Sequence, residues 1–555
     1  MLIRLREASA TDSFRRRAWL VTIVAILALC KITLTRHTYW TNIDGGYYTD
    51  VAAHVRDGRG LVSSCSILHE AYPRFPHPTA VYPLWPLLLG GLARIVPIFE
   101  AGKWLATACY FATLGFAYLW GKALYPGPLL PALPSFNAGH LLVLMFGLHD
   151  FFFQFTSYPY TEGLSYALAC AALWRMTRLL PRPSWAGGLE VGAWLGLVIL
   201  ARYQMVLLAM AALPVLAGAA VASAGPRRRY ARMTLSAVVG LLLVVGPHYL
   251  YVRSFTPSLT PGLYVQWQRV RFADGLSPIP DVMEVKGALP WILDRLRGFS
   301  IAFDPRPKSL GYPLRFYAFP YALVAAVPLL AVLGARNASR ERLRAGWAWV
   351  RRPESLPWIF VVVFAAGCFV MIQSMHMSPM LYPEWYFAQR HALVCMFAFF
   401  LALLLLLAQT RGPWRLLGVG ILCSSAVLGL WSIGAQVAES LGRRAPGASA
   451  LVQWLNDEAA RRGGMVVALR QPQPIAYLTR DVGYHWYYAH TNLKDVRAMV
   501  ALGAVYVIVP GQQSFTFTRA RDFERWFHLV QTIEGFRIYA PDPSLVAAPE
   551  APAAP

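Results

Sequence analysis

The chain has 555 residues, of which 57% are hydrophobic and only 14% charged. That is more apolar surface than one soluble core can bury, so lipid must take up much of it. The formal charge is +23, carried almost wholly by Arg, most of it in short loops between apolar runs; this is the positive-inside pattern of a membrane protein, and nucleic acid is not an expected partner.

In chain order, the first apolar run (18–35) follows Arg15, Arg16 and Arg17, lacks a small-residue cleavage site and ends among Lys31 and Arg36. It reads as a retained span rather than a signal peptide. Further runs long enough to cross lie near 104–122, 137–156, 161–180, 186–202, 204–222, 233–252, 316–335, 357–375, 392–409 and 414–434. The expected fold class is therefore mainly α, a polytopic bundle of about 11–12 spans within residues 1–440, followed by a small soluble domain.

One run, 81–98, carries Pro83, Pro86, Pro97 and Arg94. If it crossed, every later loop would change sides and the clusters Arg175/Arg178/Arg182, Arg227/Arg228/Arg229/Arg232 and Arg411/Arg415 would be exported. Charge parity thus makes 81–98 an interfacial or re-entrant helix. With a cytoplasmic N-terminus, the first outer loop 36–80, segment 157–160, the long outer loop 253–315, segment 376–391 and everything after about 436 share the outer face.

From 445 to 545 the composition turns polar. Helical stretches 449–462, 493–502 and 519–532 alternate with the β-rich runs Met465–Leu469 and Val505–Val509, the rhythm of a small α/β domain. The Ala- and Pro-rich residues 546–555 read as a disordered end. Six of the seven cysteines lie in apolar runs, leaving Cys65 in a loop, and no CxxC pair implies a metal site.

Candidate chemistry collects on the outer face. Asp44 stands just past the first span, followed by Gly45, Gly46, Tyr47 and Tyr48. A carboxylate there fits a catalytic base, and it equally fits a cap on a helix beginning near Tyr47 beside an interfacial tyrosine belt. His77, Tyr82 and the intervening prolines lead into the 81–98 helix. Glu162 opens a span after Tyr158-Pro159-Tyr160-Thr161, where it fits either a second site acid or a complement to the helix dipole. Arg202 ends a span, and Arg390-His391 opens another after Glu384. Positive-inside logic does not explain arginine on that face, so an anionic lipid fits, as do pairing of Arg390 with Glu384 and snorkelling of Arg202. The cluster His485-Trp486-Tyr487-Tyr488 suits either sugar stacking or ordinary packing. No GxxxxGK[ST], HExxH or GxSxG motif occurs, which leaves ATP-driven transport and zinc proteolysis without support.

Asp44 with Tyr47 and Tyr48, the Tyr82-Pro83 entry, the Tyr158 to Glu162 stretch and the outward Arg390 together resemble the GT-C superfamily of polyprenyl-phosphate-sugar-dependent glycosyltransferases. The likeness is to the protein mannosyltransferase and lipid A aminoarabinose transferase type, and it spans about residues 15–440. It implies Asp44 as general base, Glu162 as the second-loop acid and Arg390 as the holder of the lipid phosphate. Tyr47, Tyr48, His77, Tyr82, Arg202, Glu384 and His391 are the accompanying candidates for substrate contact. Many relatives carry a second acid directly after the first, where this chain has Gly45, so a divalent metal stays open and no other cofactor is implied.

The expected partners are a polyprenyl-phosphate sugar donor, a lipid or glycan acceptor of the cell envelope, and membrane lipids. The expected location is a bacterial inner membrane, with the C-terminal domain periplasmic. A multi-span transporter or lipid flippase is the alternative; it would place polar residues deep in the spans or broken helices in repeated halves, and the sequence presents neither clearly.

Overall fold

A computed structural model describes residues 21–38, 43–67, 75–79, 81–131, 133–222, 227–255, 348, 352–375, 393–442, 450–469, 482–486, 496, 499–501, 503–510 and 523–542. The expected span 316–335, the long loop beyond residue 255 and the C-terminal end 546–555 lie outside the described residues.

The bundle comprises α1 (21–36), α2 (Ile43–Arg56), α3 (Leu84–Leu92), α4 (Ile98–Leu124), α5 (Ala138–Gly147), α6 (Asp150–Phe155), α7 (Glu162–Leu179), α8 (Trp185–Ala201), α9 (Val206–Ala222), α10 (Arg227–Arg253), α11 (Leu356–Met375), α12 (Met396–Gln409) and α13 (Pro413–Leu441). Among the described residues, Tyr203–Val221, Arg227–Arg253 and Pro413–Leu441 are long and apolar enough to cross a membrane by length and composition alone.

Within the bundle, one run departs from the sequence-based expectation and another fits it. The run 137–156 is not one helix: α5 ends at Gly147 and α6 begins at Asp150. Gly429 of α13 presses on this break so closely that a Cβ there would collide with the Leu148 carbonyl oxygen. The 81–98 run contains only the nine-residue α3, which at 1.5 Å per residue reaches about 14 Å, under half of a hydrocarbon core. Trp85 and Leu89 of α3 are buried while Leu87, Leu88 and Leu92 are exposed, so one face packs on protein and an apolar face looks outward.

Several hydrogen bonds join segments that charge parity assigns to one face. Lys103 Nζ donates to Thr38 O at 3.0 Å, Trp85 Nε1 to Pro159 O at 3.2 Å, Tyr203 Oη to Val81 O at 3.4 Å and Tyr251 Oη to Leu61 O at 2.5 Å. Lys31 near the end of α1 donates to Thr156 and Ser157 hydroxyls, each at 2.7 Å. All of these join segments of the expected outer face. At the other end Tyr230 donates to Leu180 O at 3.0 Å.

Close packing of α8 on α10 follows from Gly188, Gly192 and Gly196, which recur every fourth residue and let the backbones meet. A Cβ at Gly192 would overlap the Ala237 carbonyl oxygen, whereas one at Gly246 would meet nothing within 4 Å. Gly192→Val is therefore expected to lower the melting temperature of the detergent-solubilised protein, with overpacking costing about 3 kcal/mol. Gly246→Val should leave it near wild type.

Beyond the bundle lie α14 (Ala450–Arg462), β6 (Met465–Leu469), β7 (Val482–Trp486), β8 (Ala504–Pro510), α15 (Phe523–Trp526), β9 (Phe527–Ile533) and β10 (Phe536–Pro541). The first outer loop adds β1 (Val62–Ser63), β2 (Cys65–Ile67) and β3 (His77–Pro78), and β4 (Pro128–Leu130) pairs with β5 (Leu133–Asn137). One six-stranded sheet runs β2-β7-β6-β8-β10-β9. Its edge strand β2 comes from the first loop and pairs parallel to β7, Cys65 opposite Tyr484, so loop and tail form one body. Of the stretch 519–532, expected as a helix, the described residues from Phe523 on are a single turn followed by β9; Glu534 and Gly535 take positive φ (49° and 79°) and turn β9 back onto β10. That reversal and the aromatic and β-branched side chains of Phe527–Ile533 override the helical composition.

On α14, Glu458 accepts from Arg462 Nε at 2.6 Å and Tyr506 Oη at 3.0 Å and also meets Arg461. Hydrogen bonding from Arg462, with further help from Tyr506 and Arg461, holds its carboxyl below the usual carboxylate range. A carboxyl depressed on folding contributes stability that is present above its unfolded pKa and lost as pH falls through the folded one. Relative to their intrinsic exchange rates, backbone amides of 450–469 are thus expected to be less protected from hydrogen exchange at acidic than at neutral pH, and Glu458→Gln should remove that difference in protection at the α14 end.

Candidate active site

Asp44 lies in the first turn of α2, which begins at Ile43 rather than near Tyr47. Its carboxylate therefore sits one position inside the helix, where the N-terminal dipole favours negative charge, and it is half-buried.

The rest of α2 fixes this turn in space. One turn on, Tyr47 bonds the Thr79 hydroxyl and Tyr48 is buried. Asp50 Oδ2 accepts from Ser63 Oγ at 2.7 Å and from the Ser64 amide at 2.8 Å, while His54 Nε2 lies 2.8 Å from Ser64 Oγ. Asp50 and His54 thus pin α2 to the strands that continue into the C-terminal sheet. Neither residue was a candidate from sequence; the visible signal was an acid and a histidine four apart, which share one helix face. Tyr484 of β7 packs into the same junction, and burial pushes its hydroxyl pKa well up.

A row of rings crosses the end of the bundle. Tyr48 and Tyr82 are 6.3 Å apart between centroids, Tyr82 meets Tyr203 edge-on at 4.7 Å, Tyr203 stacks on His248 at 6.1 Å, and His248 on Tyr251 at 6.1 Å. Tyr203 Oη also lies 2.6 Å from His248 Nε2. This row joins α2 to the C-terminal end of α10. Tyr203, His248 and Tyr251 were not singled out in the sequence, because each sits at the end of an apolar run and looks like an interface anchor.

Glu162 and Arg202 come together. Arg202 Nη1 pairs with Glu162 Oε1 and Arg202 Nε donates to Gln204 at 2.7 Å. Glu162 is 0% and Arg202 5% exposed, so the arginine expected to meet an anionic lipid meets a carboxylate instead, and the pair locks the start of α7 to the end of α8. Leu164 and Ala201, beside these two residues, share one apolar core with Tyr48, Tyr82 and Trp85. The buried pair and the helix of Asp44 therefore stand on a common foundation.

His77 is 3% exposed, with Nδ1 3.0 Å from Pro78 O and Nε2 3.0 Å from Cys65 O. It braces the first loop, as the strand pairing of Ser63 with His77 requires. His485 is buried against Phe75, ring centroids 5.4 Å apart, which is packing. Glu384, Arg390 and His391 lie outside the described residues. Among the described residues no group of three His, Cys, Asp or Glu side chains is gathered as metal ligands.

Among solved structures, the Archaeoglobus fulgidus oligosaccharyltransferase tethered with an acceptor peptide containing the NVT sequon is similar at a TM-score of 0.51 and 12% identity, covering 96% of this chain and 75% of that one. ArnT from Cupriavidus metallidurans bound to undecaprenyl phosphate is similar at a TM-score of 0.48 and 14% identity, over 96% of this chain and 99% of that one. No protein-family model and no curated protein matches the sequence. The first likeness shows the fold alone, which this chain shares with that oligosaccharyltransferase.

Proposed function

We propose that the chain is a membrane glycosyltransferase that moves a sugar from a polyprenyl-phosphate donor to a hydroxyl of a lipid or glycan acceptor. The reaction takes place on the outer face of a bacterial inner membrane, with the N-terminus cytoplasmic and the tail domain periplasmic. One observation carries this reading: a half-buried carboxylate, Asp44, stands on a helix pinned at once to the C-terminal sheet and to the core beneath the tyrosine row. A base held this rigidly is what acceptor deprotonation needs, and the oligosaccharyltransferase-like fold over 96% of the chain supports the same class of chemistry.

In the proposed step the acceptor oxygen attacks the anomeric carbon as its proton passes to Asp44. The bond from that carbon to the phosphate oxygen breaks, and the polyprenyl phosphate leaves with the electron pair. The phosphate is already a good leaving group, so no covalent sugar–enzyme intermediate is needed and the anomeric centre inverts. Arg390 is the proposed counter-charge for the departing phosphate. Glu162 and Arg202, each occupied by the other, act by holding the floor of the site.

The test uses the purified chain in proteoliposomes with a labelled polyprenyl-phosphate sugar and an extract of envelope acceptors. Label should appear covalently on an acceptor with an equal amount of polyprenyl phosphate released. Movement of intact donor between leaflets with no covalent change would support the flippase alternative and sink this proposal.

A further inference from the structure

The end of the bundle opposite the tyrosine row carries an unbalanced charge. Tyr230, in the first turn of α10, donates to the Leu180 carbonyl just past α7 at 3.0 Å. In the first turn of α8, a Cβ at Gly188 would come within 2.4 Å of the Met233 carbonyl oxygen. These contacts gather three helix ends, and with them Arg182, Arg228, Arg229 and Arg232, all exposed. From Val191 to Ala273 the sequence holds no Asp or Glu.

The acids that do come near are answered already. Glu190 is taken by Arg175, with Nη2 to Oε2 at 2.9 Å. Glu354 interacts with the Tyr230 hydroxyl, and the exposed Arg352 stands two residues before it. Among the described residues, no hydrogen bond or ion pair engages the side chains of Arg182, Arg228, Arg229 and Arg232. A guanidinium is a planar fork of five N–H donors that suits phosphate oxygens, so a phosphate-bearing anion is the chemistry this corner fits.

The surface beneath the arginines tells what the phosphate is attached to. Arg228, Arg232, Leu235, Val239, Leu242 and Gly246 follow at spacings of four, three, four, three and four, so they share one face of α10. Leu235 is 59% and Leu242 61% exposed, and a Cβ at Gly246 would meet nothing within 4 Å. The rise from Arg232 to Leu242 is about 15 Å, the depth of one leaflet of hydrocarbon. Trp185, the first residue of α8, is 48% exposed beside this end of α10, the placing of an interfacial tryptophan. Arginines at headgroup level above an open apolar stripe match a phospholipid rather than free phosphate.

We infer that this corner holds an anionic phospholipid of the cytoplasmic leaflet, its phosphate on Arg182, Arg228 and Arg232 and an acyl chain along Leu235 and Leu242. A net negative headgroup is required, because a zwitterionic one brings an ammonium group that the arginines repel. The leaflet follows from the proposed orientation; the binding is independent of sugar transfer at Asp44. The full-length protein would be reconstituted in phosphatidylcholine nanodiscs doped equally with phosphatidylglycerol and phosphatidylethanolamine of matched chains, and lipid retention read by native mass spectrometry. Phosphatidylglycerol should be retained about tenfold over phosphatidylethanolamine. The triple variant Arg182→Gln, Arg228→Gln, Arg232→Gln should bring it down to the phosphatidylethanolamine level. A control that removes the same charge elsewhere on that face, Lys122→Gln, Arg411→Gln, Arg415→Gln, should keep the preference. All six side chains reach solvent, so neither variant disturbs the packed core. Equal retention of the two lipids by the wild type, an unchanged preference in the first variant, or an equal loss in both variants would overturn the assignment, the last by reducing it to a diffuse attraction of the whole face.

Discussion

Asp44→Asn is expected to lower the rate of sugar transfer by about 10²–10⁴-fold, the range a positioned general base supplies. Asparagine has the shape of aspartate but does not take up the acceptor proton. Because Asp44 sits in the first turn of α2 and is half-buried, the dipole interaction of its charge contributes roughly 0.3–1 kcal/mol, and asparagine keeps the shape and hydrogen-bonding oxygen of the side chain. Expression and melting temperature should therefore stay close to wild type, which separates catalysis from folding. Tyr47, Tyr48 and Asp50 fix the same helix through contacts that this substitution does not disturb. Full activity in this variant, measured as acceptor labelling in proteoliposomes, would remove Asp44 from the reaction.

The second large effect falls on stability. Arg202→Met removes the cation paired with Glu162 at a position with no solvent access, and breaking a buried pair in this way costs about 3–5 kcal/mol. Glu162→Leu should be similarly harmful by taking its carboxylate partner from the buried guanidinium. The double variant Glu162→Leu with Arg202→Met removes both charges and is expected to be more stable than either single variant, since apolar replacement of a whole buried pair is often neutral. Melting temperatures of the four proteins in one detergent give the cycle. Additive losses would mean that the two side chains act separately and that the pair does not tie α7 to α8.

What the sequence made legible was set by charge and periodicity. The arginine clusters assigned which helix ends lie together, and the contacts from Lys103 to Thr38, Trp85 to Pro159 and Tyr251 to Leu61 agree. The β-rich runs at Met465–Leu469 and Val505–Val509 became central strands because their composition and their tertiary setting agree. Other features depend on partners far along the chain. Nothing local in Cys65–Ile67 announces that it will complete a sheet with residues more than 400 positions later, whereas the break between α5 and α6 falls at Gly147-Leu148-His149-Asp150, a short polar interruption that the apolar residues on either side outweighed in the sequence.

The site was read unevenly for the same reason. Asp44, Tyr48 and Tyr82 could be picked out because a carboxylate and a row of tyrosines beside a membrane span are conspicuous in one dimension. The pairing of Glu162 with Arg202 joins residues 40 apart, and from sequence each fitted a separate role. His77 looked available for substrate until its two ring nitrogens were seen to face the carbonyls of Pro78 and Cys65.

Direct displacement at the anomeric carbon, with Asp44 as base, leaves its mark on the stereochemistry of the product. A polyprenyl-phosphate sugar of known anomeric configuration would be given to the reconstituted protein and the configuration of the transferred sugar determined by proton NMR. Inversion is the predicted result. Retention of configuration would contradict it, since two successive displacements through a covalently bound carboxylate would then be required.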